Sequence, residues 1–275
     1  SLTQTLVDLV GKSLDGLEPA TLSYCCARCG FAMNRRTPTE AGYRNHPNPD
    51  GPVDHTVPVL RVARADGTLR AVLFGYACHN TTMGFRKWLG DYAGYAQEYF
   101  EQDHPGVTAA FLMGCGADQN PYPRSELPYA QKHGRSLATA VEAALEVNQR
   151  TPLHQRPLHG PLRSALEPVV LESAAEGRPD FPYPVHVVRF GNDLAVIALA
   201  SEVVVDYSLR LKRELTKPDG PAIWVAGYSN AYNNYVASQR VLEEGGYEAS
   251  NTPWKPSLEE RIVGKVHELL GRLNP

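Results

Sequence analysis

The pair Asp66-Gly67, set between apolar runs at residues 56–65 and 68–77, is the feature that most constrains the fold. Asp-Gly flanked by such runs is a strong hairpin signal, so two antiparallel strands must sit side by side. Other apolar runs of strand length lie at residues 21–32, 107–113, 163–171, 185–190, 194–200 and 222–226. Between them, helical patterns occupy residues 2–14, 90–102, 125–148, 202–215 and 257–273. Strands alternating with helices argue for the α/β class, and the hairpin makes the sheet mixed, flanked by helices. Residues 34–52 and 227–247 read as loops, the second rich in tyrosine and asparagine. No internal repeat and no linker divides the chain, so residues 1–275 are expected to form a single domain.

With 43% hydrophobic and 21% charged residues, the chain is globular in composition. A net charge of -3 supplies no electrostatic footprint for nucleic acid. No apolar stretch approaches the roughly 20 residues of a membrane helix. Five cysteines, Cys25, Cys26, Cys29, Cys78 and Cys115, are odd in number and irregular in spacing, which is not a disulfide framework. Cys26 and Cys29 form a lone C-x-x-C inside a strand pattern, so packing is the expected role. The sequence opens Ser1-Leu2-Thr3 straight into a helix with Leu2, Leu6, Leu9, Val10 and Leu14 on one face, and reads as a piece cut from a longer polypeptide. Oligomeric state and compartment leave no mark.

Chemistry is expected where strands end in polar residues, because ligands of open α/β sheets gather beyond the carboxyl ends of strands. His79 follows the run ending at Ala77 and is a candidate metal ligand; alone, it reads more readily as a hydrogen-bonded turn residue. Glu202 follows the run ending at Ala200, and a carboxylate there also suits the first turn of a helix. Tyr228, Tyr232, Tyr235 and Tyr247 in the third segment read as site residues or as packing aromatics. The glycine-rich Gly114-Cys115-Gly116-Ala117-Asp118-Gln119-Asn120-Pro121 is either a tight turn or a loop bringing Asp118, Gln119 and Asn120 to a substrate. One histidine and one carboxylate suggest zinc, yet a protein zinc site takes at least three ligands.

Several segments, in order, resemble the catalytic domain of the neutral/alkaline non-lysosomal ceramidases. Tyr76-Ala77-Cys78-His79-Asn80-Thr81-Thr82-Met83 resembles that family's strand-end histidine segment, and Gly90-Asp91-Tyr92-Ala93-Gly94-Tyr95-Ala96 its S-D-N-x-G-Y-A helix start. Ala200-Ser201-Glu202-Val203 is similar to its P-G-E segment, and Gly227-Tyr228-Ser229-Asn230-Ala231-Tyr232-Asn233-Asn234-Tyr235 to its G-x-x-N-x-Y-x-x-Y run. Gly246-Tyr247-Glu248-Ala249-Ser250 is similar to its Y-E-A/G-x-S segment, and Asn34-Arg35 to its N-R pair. The resemblance implies a zinc-dependent amidohydrolase acting on N-acylsphingosine or a related lipid or small-molecule amide. It implies zinc ligation by His79, Glu202 and Tyr235, stabilisation of the reacting carbonyl by Tyr247 and Arg35, and a lean towards a secreted or surface location.

Two departures from the family pattern set further expectations. The family's first zinc histidine lies in an H-T-H-x-G-P segment ahead of the opening helix, and no such segment occurs here. The chain alone is therefore expected to fold but to lack one ligand. The family serine of G-D-x-S-P is replaced by Gln119 or Asn120 within Gly116-Ala117-Asp118-Gln119-Asn120-Pro121, and neither amide is a nucleophile. The family's C-terminal immunoglobulin-like domain is not expected within these residues. The rival readings are hydrolysis of another amide or ester, and a binding module that keeps the fold without turnover.

Overall fold

The computed structural model describes residues 1–150 and 156–274. Helix α1 (Leu2–Asp15) leads into β1 (Ala20–Arg28), β2 (Ala32–Thr39) and β3 (Gly42–Asn48). Strands β4 (Thr56–Arg64) and β5 (Leu69–Tyr76) precede α2 (Asp91–Asp103), β6 (Thr108–Met113), β7 (Gln119–Pro121) and α3 (Leu127–Arg150). Next come β8 (Arg156–Pro157), β9 (Leu162–Leu171), β10 (Phe181–Phe190), β11 (Leu194–Leu199) and β12 (Glu202–Val203). Helix α4 (Val205–Leu215), β13 (Ala222–Ala226), β14 (Tyr235–Val236), α5 (Gln239–Glu244), α6 (Gly246–Ser250) and α7 (Leu258–Arg272) follow.

The predicted hairpin forms: β4 and β5 pair antiparallel around residues 65–67, with Gly67 at φ 84°. It belongs to a sheet of order β6-β5-β4-β1-β8, in which β5 and β6 run parallel. A second sheet has the order β13-β11-β10-β9, with β11 and β13 parallel and the other pairs antiparallel. The expected α/β class with mixed sheets flanked by helices is thus observed, divided between two main sheets. Each has its own core. Val57, Phe74, Tyr92, Phe100, Leu137 and Val141 pack between the first sheet and α2 and α3. Val185, Ile197, Leu199, Tyr207, Ile262 and Val266 pack between the second sheet and α4 and α7. Tyr24, Leu194 and Trp224 fill a smaller cluster drawing on both sheets.

A repeat of topology joins these sheets although the sequence carries none. Strands β4 and β5 form a hairpin, α2 crosses over, and β6 returns parallel to β5. Strands β10 and β11 form a hairpin, α4 crosses over, and β13 returns parallel to β11. The two returning strands meet at their carboxyl ends, where Gly114 bridges to Ala226 and the Gly227 N–H donates to the Met113 carbonyl at 3.0 Å. The backbones approach closely there: a Cβ at Gly227 would lie 3.0 Å from the Gly114 carbonyl oxygen.

Three sequence readings need correction. Residues 34–52 are not a loop, since β2 pairs with both β3 and β7. The pattern went unrecognised because β2 buries Asn34, Arg35 and Arg36 instead of apolar side chains. Residues 227–247 contain β14, α5 and the start of α6. Glu202 does not open a helix; it lies in β12, and α4 begins at Val205 with Asp206 as the acid of its first turn. The opening helix is present as expected, but Leu2, Leu6, Leu9, Val10 and Leu14 are all exposed. Cys29 is buried and Cys26 exposed, and burial pushes the Cys29 thiol up to about 11, which disfavours a thiolate ligand or nucleophile. No helix among the described residues is long and apolar enough to cross a membrane.

Candidate metal and catalytic site

The carboxyl ends of the two sheets converge on one cluster. His79 stands three residues past the end of β5 at Tyr76, and Glu202 stands three past the end of β11 at Leu199. The His79 amide donates to the Gln119 carbonyl at 3.1 Å, and the Glu202 amide to the Asn234 carbonyl at 3.1 Å. These anchors fix both backbones, and the His79 Nε2 lies 3.6 Å from Glu202 Oε2. Strand β12 pairs parallel with β14 so that Glu202 and Tyr235 are register partners, which places the Tyr235 ring beside the pair.

His79 is buried, and its Nε2 is 2.9 Å from the Ala117 carbonyl oxygen. Burial, with the Arg35 guanidinium nearby, pushes the imidazole down to about 3, so the ring is neutral at pH 7. The Glu202 carboxylate accepts from the Tyr232 hydroxyl at 3.0 Å and from the Tyr228 hydroxyl at 3.3 Å. Tyr228 is also 3.2 Å from His79 Nδ1. Burial holds the Tyr228 phenol well above its ordinary range, and the Glu202 carboxylate adds to the effect. At Tyr235, burial again raises the phenol while Arg35 opposes.

Arg35 reaches the cluster from β2. Its Nη2 donates to the Tyr235 hydroxyl at 3.2 Å and its Nε to Glu248 Oε1 at 2.8 Å. Burial disfavours the cation, but Glu248 and Tyr235 outweigh it and keep the guanidinium charged. The Tyr247 ring meets Tyr235 edge-on at 5.5 Å between centroids, with the Arg35 guanidinium carbon 5.4 Å from its own centroid. Tyr247 is half exposed, so it forms the solvent side of the cluster.

The three polar residues of the glycine-rich segment divide. Asp118 is fully buried, accepting from the Val205 amide at 2.9 Å and from Asn34 Nδ2 at 3.1 Å; it caps α4. Gln119 is also fully buried and donates to the Pro52 carbonyl at 3.2 Å. Asn120 alone of the three joins the cluster, 3.4 Å from both Arg35 Nη1 and the Thr81 hydroxyl. Burial raises the Asp118 carboxyl to about 6 despite the stabilising hydrogen bonds.

Zinc ligands lie about 2.0–2.2 Å from the metal, so two of them span roughly 3.4 Å across a tetrahedral edge. The His79 and Glu202 side chains approach within 3.6 Å, near enough to face one ion, though the nitrogen at that distance is Nε2, which is turned to the Ala117 carbonyl. Among the described residues, however, no three His, Cys, Asp or Glu side chains gather to hold a metal. The pair therefore fits as part of a zinc site, with phenols as the remaining nearby oxygens. A hollow of about 620 Å3 lined by Arg189, Lys217, Ile223, His267 and Asn274 shares no residue with this cluster. Convergent chemistry, not volume, marks the site.

Sequence reasoning brought His79, Glu202, Tyr235, Tyr247 and Arg35 forward with roles, left Tyr228 and Tyr232 as site residues or packing aromatics without a role, and did not single out Glu248. Tyr228 follows the end of β13 by two residues, the strand-end position that also marks His79.

The fold matches that of part of two solved ceramidase structures. No protein-family model matches the sequence, and no curated protein matches it at the sequence level. Among solved structures, a neutral ceramidase from Pseudomonas aeruginosa aligns with 97% of this chain and 55% of its own, at a TM-score of 0.75 and 18% identity. A ceramidase complexed with C2 aligns with 96% of this chain and 56% of its own, at a TM-score of 0.76 and 18% identity. The chain thus spans a little over half the length of these structures.

Proposed function

We propose that residues 1–275 form the catalytic domain of a zinc-dependent amide hydrolase of the neutral ceramidase type. The observation that carries this reading is the convergence of His79 and Glu202, 3.6 Å apart, at the ends of strands from two different sheets. His79 and Glu202 would hold the metal, with Tyr235 alongside. When bound, zinc supplies Lewis acidity, polarising an oxygen and making water nucleophilic near neutral pH.

The chain's own residues supply the rest. Tyr232 and Tyr228 hold the two oxygens of Glu202, fixing its carboxylate plane. Arg35, kept charged by Glu248, and the Tyr247 hydroxyl stand where negative charge on an amide oxygen can be stabilised; one such donor contributes about 3–4 kcal/mol. Asn120, beside Arg35, is the side chain of the glycine-rich segment best placed to touch substrate, and Asp118 and Gln119 shape the backbone around it. With amides in place of the family serine, water is the nucleophile. The substrate class is an N-acylated amine such as an N-acylsphingosine, or a smaller amide.

His79 and Glu202 are one strong ligand short of the usual three, so imidazole stands in for the missing histidine in the test. Zinc and imidazole are added to the protein, and release of amine from an N-acylsphingosine and from a short-chain amide is followed. Turnover that is lost in His79→Ala and Glu202→Ala is expected. Saturable amide binding without turnover in the zinc- and imidazole-loaded protein overturns the reading in favour of a binding module.

A further inference from the structure

We propose that the segment Phe85-Arg86-Lys87-Trp88-Leu89, beside the cluster, docks on the surface of a bilayer containing anionic phospholipid. The inference depends neither on zinc nor on turnover; it stands on the surface chemistry of one loop.

The side chains of all five residues, between the first sheet and α2, are exposed. Trp88 is 104% exposed, so nothing in the chain packs against its indole, and Phe85 and Leu89 are each 39% exposed. The other two tryptophans, Trp224 and Trp254, are buried. Arg86 and Lys87 stand between these apolar residues, and neither forms an ion pair among the described residues. The nearest acid in sequence, Asp91, is buried and turned to the Met83 and Tyr92 amides. The loop thus carries two unpaired cations in a chain whose net charge is -3. Indole rings favour the headgroup level of a bilayer, and lysine and arginine are drawn to its anionic lipids.

A fixed stem presents the loop. The Thr81 carbonyl accepts from Arg124 Nη2 at 2.6 Å, the Thr82 carbonyl from the Ser125 amide at 2.7 Å, and Asp91 Oδ2 from the Met83 amide at 3.0 Å. Pinning both ends lowers the ordering that docking would otherwise require. The stem also joins the loop to the cluster, because the Thr81 hydroxyl lies 3.4 Å from Asn120 Oδ1, which lies 3.4 Å from Arg35 Nη1. A bilayer held by this loop therefore meets the molecule beside the site.

Size and charge select a bilayer over other partners. A whole aromatic side chain offers roughly 150–250 Å2, so the loop supplies roughly 300–400 Å2 of apolar surface. A stable protein interface takes about 800 Å2 from each partner. Binding to a bilayer instead scales with the apolar area inserted plus the attraction to anionic lipid, so one loop suffices for a reversible contact. The other exposed candidate is the apolar face of α1, with Leu2, Leu6, Leu9, Val10 and Leu14. That helix has no aromatic residue, and its charges are two acids, Asp8 and Asp15, against one base, Lys12, which an anionic surface does not attract.

The test reads binding of the chain to vesicles of phosphatidylcholine, with and without phosphatidylserine. Co-sedimentation gives the affinity. Trp88 is the exposed tryptophan, so a blue shift of emission and quenching by brominated lipid report its insertion. The expected result is binding to phosphatidylserine vesicles with both signals, and Trp88→Ala should abolish both. Arg86→Ala with Lys87→Ala should weaken binding about 30-fold at low salt, on the scale of about fivefold for each cation near an anionic surface, and the difference should shrink at high salt. These side chains are exposed, so the thermal denaturation midpoints of the variants should match the wild type, which separates lost docking from misfolding. Absence of binding to phosphatidylserine vesicles overturns the proposal. Binding that survives both variants does so too, and assigns docking to another surface such as α1. Self-association that Trp88→Ala abolishes overturns it in favour of a second copy of this chain. Vesicle binding through the loop by a chain that hydrolyses no amide leaves this proposal standing and removes the hydrolase reading; turnover of a short-chain amide without vesicle binding does the reverse.

Discussion

The hairpin-helix-strand unit built from β4, β5, α2 and β6 and that built from β10, β11, α4 and β13 share a plan and differ in cargo. Each presents one metal-binding candidate three residues beyond the end of its middle strand, His79 in the first and Glu202 in the second. Each ties that residue's amide to a carbonyl in the segment after its returning strand, Gln119 or Asn234. They differ in what those segments carry. In the first unit it is a short glycine-rich turn that commits Asp118 and Gln119 to the interior. In the second it is longer and delivers Tyr228, Tyr232 and Tyr235, then Tyr247 and Glu248, to the cluster. A shared backbone plan thus sets where ligands stand, and the unequal segments decide the chemistry around them.

Glu248 is the largest departure from the two-fold plan, and removing it should have the largest effect on stability. Its oxygens accept from Arg35 Nε at 2.8 Å and Arg36 Nη1 at 2.6 Å, with all three side chains nearly inaccessible to solvent. Glu248→Ala leaves Arg35 buried with no carboxylate partner among the described residues, while Arg36 keeps Glu244. Loss of one partner of a buried pair costs about 3–5 kcal/mol. Urea denaturation should find a loss of that order; a loss under about 1 kcal/mol would show that water reaches these guanidinium groups and that the segment is not fixed by them.

Asp118 ties the units together, since the first unit's turn caps the second unit's α4 through the Val205 amide. Its carboxyl is raised from 3.8 to about 6, chiefly by burial. A raised carboxyl binds its proton more tightly when folded. Its contribution is therefore complete below about pH 3.8 and is lost as the pH rises through about 6, amounting to about 3 kcal/mol. Comparison with Asp118→Asn cancels the other titrating groups. The stability difference between wild type and Asp118→Asn should shift by about that amount, against the wild type, from pH 4 to pH 7. A difference that does not change with pH would mean the carboxyl is ionised throughout.

How much of this was legible follows from which residues lie inside. The β4–β5 hairpin, β13 and α7 were read from apolar periodicity, and their buried faces are Val57 and Val59, Trp224 and Val225, and Ile262, Val266 and Leu269. Strand β2 was missed because its inward residues are Asn34, Arg35 and Arg36, whose burial is balanced by Glu248 and Asp118, distant in sequence. His79 and Glu202 were visible as polar residues at strand ends. Their nearness came only from the family resemblance and not from the strand-end pattern, because it depends on β6 and β13 meeting at Gly114 and Ala226, a contact between residues more than a hundred apart. The topological repeat was invisible for the same reason: side chains differ throughout while strand directions agree.

The glycines next to the seam between returning strands offer a smaller and unequal effect. A Cβ at Gly116 would meet backbone of the first unit, the Cys78 nitrogen at 2.6 Å and the Ala77 carbonyl carbon at 3.0 Å. A Cβ at Gly227 would meet the Gly114 carbonyl oxygen at 3.0 Å. Gly116→Ala should cost about 1–3 kcal/mol, the range of overpacking, and displace the chain next to His79, so that zinc affinity falls with stability. Gly227→Ala should cost less, under about 1 kcal/mol, because a shift of a few tenths of an ångström relieves it. Equal losses in thermal denaturation and zinc titration would show that the units are clamped alike.

The smallest effect is expected where the units are joined by charge. Asp54, just before β4, accepts from the α4 residues Ser208 at 2.7 Å and Lys212 at 2.6 Å, and from the Thr56 amide at 3.2 Å. Burial raises its carboxyl, but Lys212 and the hydrogen bonds prevail and hold it below the ordinary range. The Lys212 side chain is a quarter exposed, so the pair belongs between surface bridges, at about 0–1 kcal/mol, and fully buried ones. Lys212→Met keeps the stem's apolar packing and removes the charge, which should cost about 1 kcal/mol at pH 7. A lowered carboxyl contributes above its unfolded value of 3.8 and loses that contribution as the pH falls through its folded one. The gap between wild type and Lys212→Met should therefore close at strongly acid pH, the reverse of the Asp118 trend. A gap that persists once Asp54 is protonated would assign the effect to packing by the lysine stem, and the charge would then not be what joins the two units.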